Sequence, residues 1–223
     1  MYLWLLTLMR GVHGMTQNKF MVFGITGISG SGTSTVAELL QELIEEEGGY
    51  FIAILVEADE IAHEVMLKGN QAYDEIVSHF GKDILNDYNE IDRQILGKIV
   101  FNDEELLTVL KSIIHPHVIK ITKNIINSCS ETEEVLAVII DAPLLIESGM
   151  NSLCDYCWLV TAPNEKRLER IQARDNISLE MAELRLKNRV GDEALRPYVN
   201  AVIENDGDKH SLMKKVQEVF ETM

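Results

Sequence analysis

The chain has 223 residues, which is enough for one domain with a sizeable core and room for a small inserted subdomain. Its 20 basic and 36 acidic residues give a formal net charge of −16, which argues against nucleic acid or an anionic membrane as the main partner, because both need a basic face. Any anionic substrate must therefore be held by a local basic pocket.

The first nine residues, Met1–Met9, are apolar and raise the question of a signal peptide. No basic residue precedes them, and a membrane-spanning helix needs about 20 residues. Met15 is an alternative start, since the first predicted strand begins soon after it. We expect residues 1–20 to be an N-terminal extension, disordered or loosely docked, followed by one domain over residues 21–223.

Five short apolar runs predict buried β-strands, and the intervals between them carry apolar residues at helical spacing. The strands are Met21–Thr26, Phe51–Val56, Val135–Ile140, Tyr156–Val160 and Ala201–Ile203. The helices are Ser34–Glu47, Ile61–Leu67, Tyr73–Phe80, Arg93–Phe101, Glu104–Asn127, Glu165–Arg174, Leu179–Val190 and Ser211–Thr222. This alternation predicts an α/β fold with a mainly parallel sheet covered by helices on both faces. The helical stretch between the second and third strands is too long for one crossover, and we interpret it as a substrate-binding subdomain.

The chain has three cysteines, and this odd, low count suggests a reducing compartment, which we take to be the cytoplasm. Cys154 and Cys157 have C-x-x-C spacing, but they lie at the entry to a predicted strand and not at a helix N-terminus, where a thiolate is favoured. Zinc would need two further ligands, and the chain has no second pair of this kind. We therefore interpret Cys129, Cys154 and Cys157 as buried thiols, with a redox pair as the alternative.

A glycine-rich segment joins the first strand to the first helix and is close to the phosphate-loop pattern G-x-x-x-x-G-K-S/T. Glycines let the backbone approach phosphate oxygens, successive N–H groups form an anion nest, and the following helix adds its positive end. Ser34, at the Ser/Thr position, can ligate the Mg²⁺ ion that bridges the phosphates. The candidate nucleoside triphosphate site therefore comprises Ser29, Gly30, Ser31, Gly32, Thr33, Ser34 and Thr35, in a P-loop NTPase-type sheet.

One residue departs from this pattern, because Thr33 stands where lysine is expected. That lysine neutralises charge on the β- and γ-phosphates. The position of the loop between an apolar strand and an amphipathic helix still favours phosphate binding over a glycine-rich turn without a ligand.

Seven segments, in order from about Met21 to about Asp208, give most of the chain a resemblance to the dephospho-CoA kinase family. The segments are Gly24–Ala37, Glu57–His63, His79–Gly81, Ile114–Pro116, Asp141–Glu147, Arg170–Asp175 and Ile203–Asn205. The resemblance implies an enzyme that transfers the γ-phosphate of ATP to the ribose 3′-hydroxyl of dephospho-CoA, the last step of coenzyme A synthesis. It also implies a P-loop core with a helical CoA-binding part over about residues 61–130 and a lid over about residues 163–197.

The resemblance implies a catalytic role after the second strand. Asp59 matches the second acid of the family's Asp-Ala-Asp motif and is expected to be the general base, which accepts the hydroxyl proton during attack. A helix N-cap for Ile61 onward is the structural alternative, and one residue can do both. Glu57 replaces the first acid of the motif, and His63 stands where the family usually has arginine, whose fixed charge a neutral histidine does not supply.

The resemblance also implies further site residues along the chain. On the acceptor side they are Glu57, His63, His79, Phe80, Arg93, His115, Leu145 and Glu147. Arg93 is expected to meet the acceptor's phosphates, whereas a structural role is the alternative for each histidine. Asp141 ends the third strand like a Walker B acid and is expected to hold Mg²⁺ through water, with a turn before Pro143 as the alternative. Asn205 is expected near the adenine.

A basic run follows the fourth strand in an otherwise acidic chain. Arg167, Arg170 and Arg174 are three and four residues apart and share one helix face. They form either a solvated face beside Glu165 and Glu169, or the lid that the resemblance implies. We favour the lid, in which Arg170 and Arg174 are catalytic because they stabilise the charge on the transferred group.

Three functions remain open. The first is an active dephospho-CoA kinase, in which Arg170 or Arg174 supplies the charge missing at Thr33. The second is a non-catalytic nucleotide-binding paralogue, favoured by the changes at Thr33, Glu57 and His63. The third is a kinase of another small acceptor, such as a nucleoside monophosphate. In each case we expect a small-molecule partner, neither nucleic acid nor membrane, and a monomer or small homo-oligomer.

Overall fold

A computed structural model of the chain describes residues 20–101, 103–187 and 191–223. The predictions for residues 1–19 and for the last three residues of the helix Leu179–Val190 lie outside the described residues. The chain divides into two compact units. One comprises the described residues up to Val56 together with Ile126–Met223, and the other is Glu57–Ile125.

A five-stranded sheet forms the centre of the first unit. Its strands are β1 Met21–Gly27, β2 Ile52–Glu57, β3 Val135–Asp141, β4 Tyr156–Thr161 and β5 Ala201–Glu204, in the order β2-β3-β1-β4-β5. β1 pairs in parallel with β3 and β4, and β4 pairs in parallel with β5. Every residue of β1 and β3 is buried, as in strands that are covered on both faces. The predicted α/β class with a mainly parallel sheet is confirmed.

The helices fill the intervals between the strands. In chain order they are α1 Thr33–Gly48, α2 Ala58–Val65, α3 Gln71–Phe80, α4 Arg93–Phe101, α5 Glu104–Ser130, α6 Asn164–Asp175, α7 Leu179–Lys187, α8 Asp192–Leu195 and α9 Lys209–Glu221. Short 3₁₀ turns lie at Lys82–Ile84, Met150–Leu153 and Arg196–Tyr198. Among the described residues, none of these helices combines the length and the apolar composition that a membrane span requires.

The main core of the first unit lies between the sheet and the helices α1 and α9. α1 contributes a buried stripe at helical spacing, Val36, Leu39, Leu40, Leu43 and Ile44, and α9 contributes Leu212, Val216 and Phe220. The ring of Phe23 on β1 lies 5.7 Å from the ring of Trp158 and 6.0 Å from that of Phe220. This packing fixes the central strand, and thereby the loop that follows it.

The second unit, Glu57–Ile125, is helical and has a core of its own, around Ile76, Ile84, Leu96 and Val100. Two of its helices begin at side-chain caps. The Asp92 carboxylate accepts a hydrogen bond from the Gln94 N–H (2.8 Å) at the start of α4. The Asp103 carboxylate accepts one from the Glu105 N–H (3.0 Å) at the start of α5. A helical body therefore occupies the interval in which the sequence predicts an inserted subdomain.

Candidate active site

The carboxyl ends of the strands of the first unit meet at one edge of the sheet. The register pairs Asp141 of β3 with Ile25, two residues before the end of β1, and Val160 of β4 with Gly27. Asn205 directly follows β5. In open parallel α/β sheets, ligands bind at this edge, where the connections on either side of a strand diverge. The glycine-rich loop after β1 therefore lies where a ligand is expected.

The loop has a backbone that requires glycine at two positions. Gly30 and Gly32 have φ angles of +81° and +94°, and the Ser31 N–H donates back to the Ile28 carbonyl (2.9 Å). A Cβ atom on Gly30 would lie 2.6 Å from the Arg167 carbonyl oxygen. α1 begins directly afterwards, and its first N–H groups have no acceptor within the helix. Such N–H groups and the helix dipole favour the binding of an anion at this loop.

Ser34 and Asp141 lie side by side at this site. The Ser34 hydroxyl donates a 2.6 Å hydrogen bond to Oδ2 of Asp141, the last residue of β3. Asp141 is only 7% exposed, whereas Ser34 is exposed. A hydroxyl and a carboxylate are hard oxygen ligands of the kind that Mg²⁺ prefers. The described residues contain no group of three or more His, Cys, Asp or Glu side chains suited to a metal. The pair thus fits a metal held jointly with phosphate oxygens, not an all-protein metal cage.

Arg170 contacts the carbonyl side of the loop. Its Nη1 donates to the carbonyl oxygens of Gly30 and Ser31, and its Nη2 donates to the backbone and side-chain oxygens of Asn205, all at 3.2 Å. The Asn205 side chain also donates from Nδ2 to the Ser31 carbonyl (2.8 Å). Two residues predicted for different parts of the nucleotide therefore lie together against the loop backbone.

Arg174 lies at the other end of the same loop. Its Nη2 is 3.5 Å from the Ser29 hydroxyl, and its guanidinium also binds the carboxylate of Asp175 (2.8 and 3.1 Å). The Arg174 side chain is 63% exposed. Thr33, where the pattern has lysine, is half-buried as the first residue of α1. An exposed cation beside Ser29 is thus placed on α6, although the overall charge of the chain is strongly negative.

Arg167 and Asp192 form an ion pair that no pattern in the sequence predicts. Arg167 is 4% exposed, and its guanidinium binds the carboxylate of Asp192 at the start of α8. Its backbone carbonyl also lies against Gly30. The helical spacing of the three arginines is confirmed, but they do not form a solvated face. One is buried in an ion pair, one binds the loop, and one is exposed.

The segment after β3 supplies two predicted acceptor-side residues. Leu145 is fully buried, and a Cβ atom on Gly24 would lie 2.6 Å from one of its methyl carbons. Glu147 is exposed. The Thr26 hydroxyl donates to the Pro143 carbonyl (3.3 Å), which ties this segment to β1. Leu145 therefore has a core position, and of the two only Glu147 has a side chain open to solvent.

The residues predicted around Asp59 lie at the start of the second unit. α2 begins at Ala58, three residues before the predicted start, and its N-cap is Glu57. The N-cap alternative for Asp59 is therefore wrong, because Asp59 lies inside the helix. As an acidic side chain in the first turn, it is still stabilised by the helix dipole. Asp59 is exposed there, and His63 is exposed in the last turn of α2.

Four further predicted acceptor-side residues also belong to the second unit. His79 and Phe80 end α3 with ring centroids 5.0 Å apart, Arg93 is the exposed first residue of α4, and His115 is half-buried in α5. An open cavity of about 510 Å³ within this unit is lined by Asp74, Glu75, Ser78, His79, Val109 and Ile113. Because it carries two carboxylates, this cavity does not favour a phosphate group.

All three cysteines carry free thiols. Cys157 is buried in β4, and Cys154 and Cys129 are half-buried. A hydrogen bond from the Cys154 thiol lowers the pKa of Cys157, and the same bond together with burial raises the pKa of Cys154. The C-x-x-C residues are thus adjacent thiols at the amino end of β4. The phosphate loop follows the opposite, carboxyl end of the neighbouring parallel strand β1.

Comparison with known proteins identifies the family to which the chain is related. The family profile of dephospho-CoA kinase matches residues 21–211. A dephospho-CoA kinase from Carboxydothermus hydrogenoformans is 36% identical over 200 residues, which cover 90% of this chain and 93% of the relative. One from Fusobacterium nucleatum is 37% identical over 205 residues, which cover 92% of this chain and the whole of the relative.

Solved structures agree with this match. Dephospho-CoA kinase from Campylobacter jejuni superimposes with a TM-score of 0.59 at 28% identity, and the match covers 90% of this chain and 95% of that one. A shikimate kinase from Acinetobacter baumannii superimposes with a TM-score of 0.51 at 15% identity, which supports the P-loop kinase fold alone. The chain belongs to the dephospho-CoA kinase family.

Proposed function

We propose that this chain is an ATP-dependent dephospho-CoA kinase, which transfers the γ-phosphate of ATP to the ribose 3′-hydroxyl of dephospho-CoA. The observation that carries the proposal is the Ser34–Asp141 hydrogen bond beside a phosphate loop, in a chain that matches this family over residues 21–211. A decayed nucleotide site has no reason to keep a hydroxyl and a buried carboxylate in contact at the metal position.

Mg²⁺ is part of this proposal. Ser34 would ligate the ion directly and Asp141 would hold it through water, while the ion neutralises charge on the β- and γ-phosphates. The N–H groups at the start of α1 bind the phosphate oxygens, so the loop and the metal share the negative charge of the nucleotide.

The charge missing at Thr33 is assigned mainly to Arg174. Every contact given above for the Arg170 guanidinium is to a loop carbonyl or to Asn205, whereas Arg174 is largely exposed beside Ser29. A phosphate group can replace the carboxylate of Asp175 on the Arg174 guanidinium, because both accept bidentate hydrogen bonds. Arg174 then stabilises the transferred group, and Arg170 adds its charge from behind the loop.

Asp59 is assigned as the general base by its place in the family motif. Its exposure in the first turn of α2 leaves the carboxylate accessible to the acceptor hydroxyl whose proton it would accept. The residues assigned to the acceptor are Glu57, His63, His79, Phe80, Arg93, His115 and Glu147. Leu145, which was predicted with them, is fully buried and is assigned to the packing of the segment that carries Glu147. The three reduced cysteines support a cytoplasmic setting.

Release of ADP from ATP, with and without dephospho-CoA, tests the proposal against its alternatives. Release that depends on dephospho-CoA supports it. ATP binding without release supports the non-catalytic paralogue, which the substitution at Thr33 favours. Release that depends instead on a nucleoside monophosphate identifies a different acceptor. Asp59→Asn is expected to abolish turnover while ATP affinity is retained, and Glu60→Gln, in the same exposed turn, is the matched control.

A further inference from the structure

Two carbonyl groups of the phosphate loop accept hydrogen bonds from side chains that lie outside the loop. The Ser31 carbonyl accepts hydrogen bonds from Asn205 Nδ2 (2.8 Å) and Arg170 Nη1 (3.2 Å), and the Gly30 carbonyl accepts a second one from Nη1 (3.2 Å). A peptide unit is planar and trans, so its N–H points opposite to its carbonyl. Fixing the Ser31 carbonyl outward therefore fixes the Gly32 N–H inward, toward the position of the phosphates.

The amide of Asn205 has one orientation that satisfies its neighbours. Its Nδ2 must face the Ser31 carbonyl, which only accepts, and its Oδ1 must face the Arg170 guanidinium, which only donates. Asn205 is 6% exposed, and its backbone N–H donates to the Thr161 carbonyl at 2.7 Å. The amide is thus locked between β4, α6 and the loop, with both ends of its side chain in use.

The backbone at Gly32 lies in close contact with the side chain of Asn205. A Cβ atom at this position would lie 2.3 Å from Nδ2 of Asn205 and 3.8 Å from Nη1 of Arg170. The loop backbone therefore rests directly on the Asn205 amide. This close contact leaves no space between Gly32 and the amide for an adenine ring.

We propose that Arg170 and Asn205 are positioning residues, which hold the phosphate loop in its anion-binding conformation from its carbonyl side. In a loop without lysine, the N–H groups carry a larger share of the contacts with the phosphate chain, so their orientation matters more here than in loops of the common pattern. The inference rests on the proposed function only in that the loop binds a triphosphate. It replaces the expected contact of Asn205 with adenine.

Asn205→Asp tests this role, because it keeps the side-chain shape but turns the donor that faces the Ser31 carbonyl into an acceptor. It also adds a negative charge, which Asn200→Asp adds as well, and which Arg170→Lys does not add. Asn200→Asp is the matched control. Asn200 lies at the other end of β5, and its side-chain oxygen, which the substitution retains, accepts from the Cys157 N–H at 2.7 Å. The probes are ATP and inorganic tripolyphosphate, with affinities measured by calorimetry. We expect Asn205→Asp to weaken both by about tenfold or more and by the same factor, and Asn200→Asp to weaken neither.

A loss of ATP affinity with unchanged tripolyphosphate affinity would overturn the proposal, because it would show that Asn205 contacts the base. Unchanged affinity for both probes would overturn it as well. Arg170→Lys, which keeps the charge but not the forked donor geometry, covers the case in which Asn205→Asp does not fold. We expect it to lose affinity for both probes, and wild-type affinity would show that charge alone matters. A wild-type chain that binds neither probe would refute the proposed function itself.

Discussion

Substitution of Gly32 by alanine is expected to damage the loop through two separable effects. The first is strain, since alanine at a φ of +94° costs about 1–2 kcal/mol. The second is a clash, since the new Cβ would lie 2.3 Å from Asn205 Nδ2 and break the hydrogen bond from Asn205 to the Ser31 carbonyl, at a cost of about 1–3 kcal/mol. We therefore expect Gly32→Ala to lower the free energy of unfolding by about 2–5 kcal/mol.

Gly69→Ala is the control for the strain alone. Gly69 has a φ of +100°, and no heavy atom of the described residues lies within 4 Å of a Cβ built there, apart from its chain neighbours. We expect this control to cost about 1–2 kcal/mol and to leave ATP affinity unchanged. Urea unfolding and calorimetric titration with ATP measure both quantities for each variant. Equal losses of stability in the two variants, with ATP affinity retained in Gly32→Ala, would refute the reasoning.

Three further predictions concern the core, the metal and the pH dependence of folding. Phe220→Ala, at a position 1% exposed, should cost about 3–5 kcal/mol in urea unfolding, whereas Tyr50→Ala, at a fully exposed position, should cost less than about 0.5 kcal/mol. Similar losses of unfolding free energy in the two variants would contradict the placement of Phe220 in the core. Asp141→Asn should raise the Mg²⁺ concentration needed for half-maximal turnover, and an unchanged Mg²⁺ dependence would remove Asp141 from the metal site. Hydrogen bonds from the Ser211 hydroxyl and N–H lower the pKa of Asp208, so its stabilising effect is present above the unfolded pKa and is lost as pH falls through the folded value. Asp208→Ala should therefore be less stable than wild type near pH 7, by a margin that shrinks below about pH 4, and a constant margin would contradict this cause.

The sequence predicted the parts of the fold that depend on local pattern. The apolar runs of β1 and β3 are buried on both faces, and the spacing in α1 matches its buried stripe. The predicted start of α2 was wrong by three residues. α2 begins at Ala58 because Glu57 has the extended backbone of an N-cap, and the apolar spacing from Ile61 onward carries no information about that turn.

The site was predictable where one segment carries it, as in the glycine-rich loop. It was not predictable where distant segments meet. Asn205 and Ser31 are 174 residues apart, and Arg167 and Asp192 are 25 residues apart without a repeating pattern. The different environments of the arginines on α6 also depend on what packs against each turn of that helix. Helical spacing shows which residues share a face, but not which of them that face buries.

Transfer of label from ATP to dephospho-CoA is the most direct test of the proposed kinase activity. The chain is incubated with Mg²⁺, γ-³²P-labelled ATP and dephospho-CoA, and the products are separated and identified by mass spectrometry. We expect a labelled product that co-elutes with coenzyme A, formed only when dephospho-CoA is present. Label that remains in ATP, or is released as inorganic phosphate whether or not dephospho-CoA is added, would contradict it.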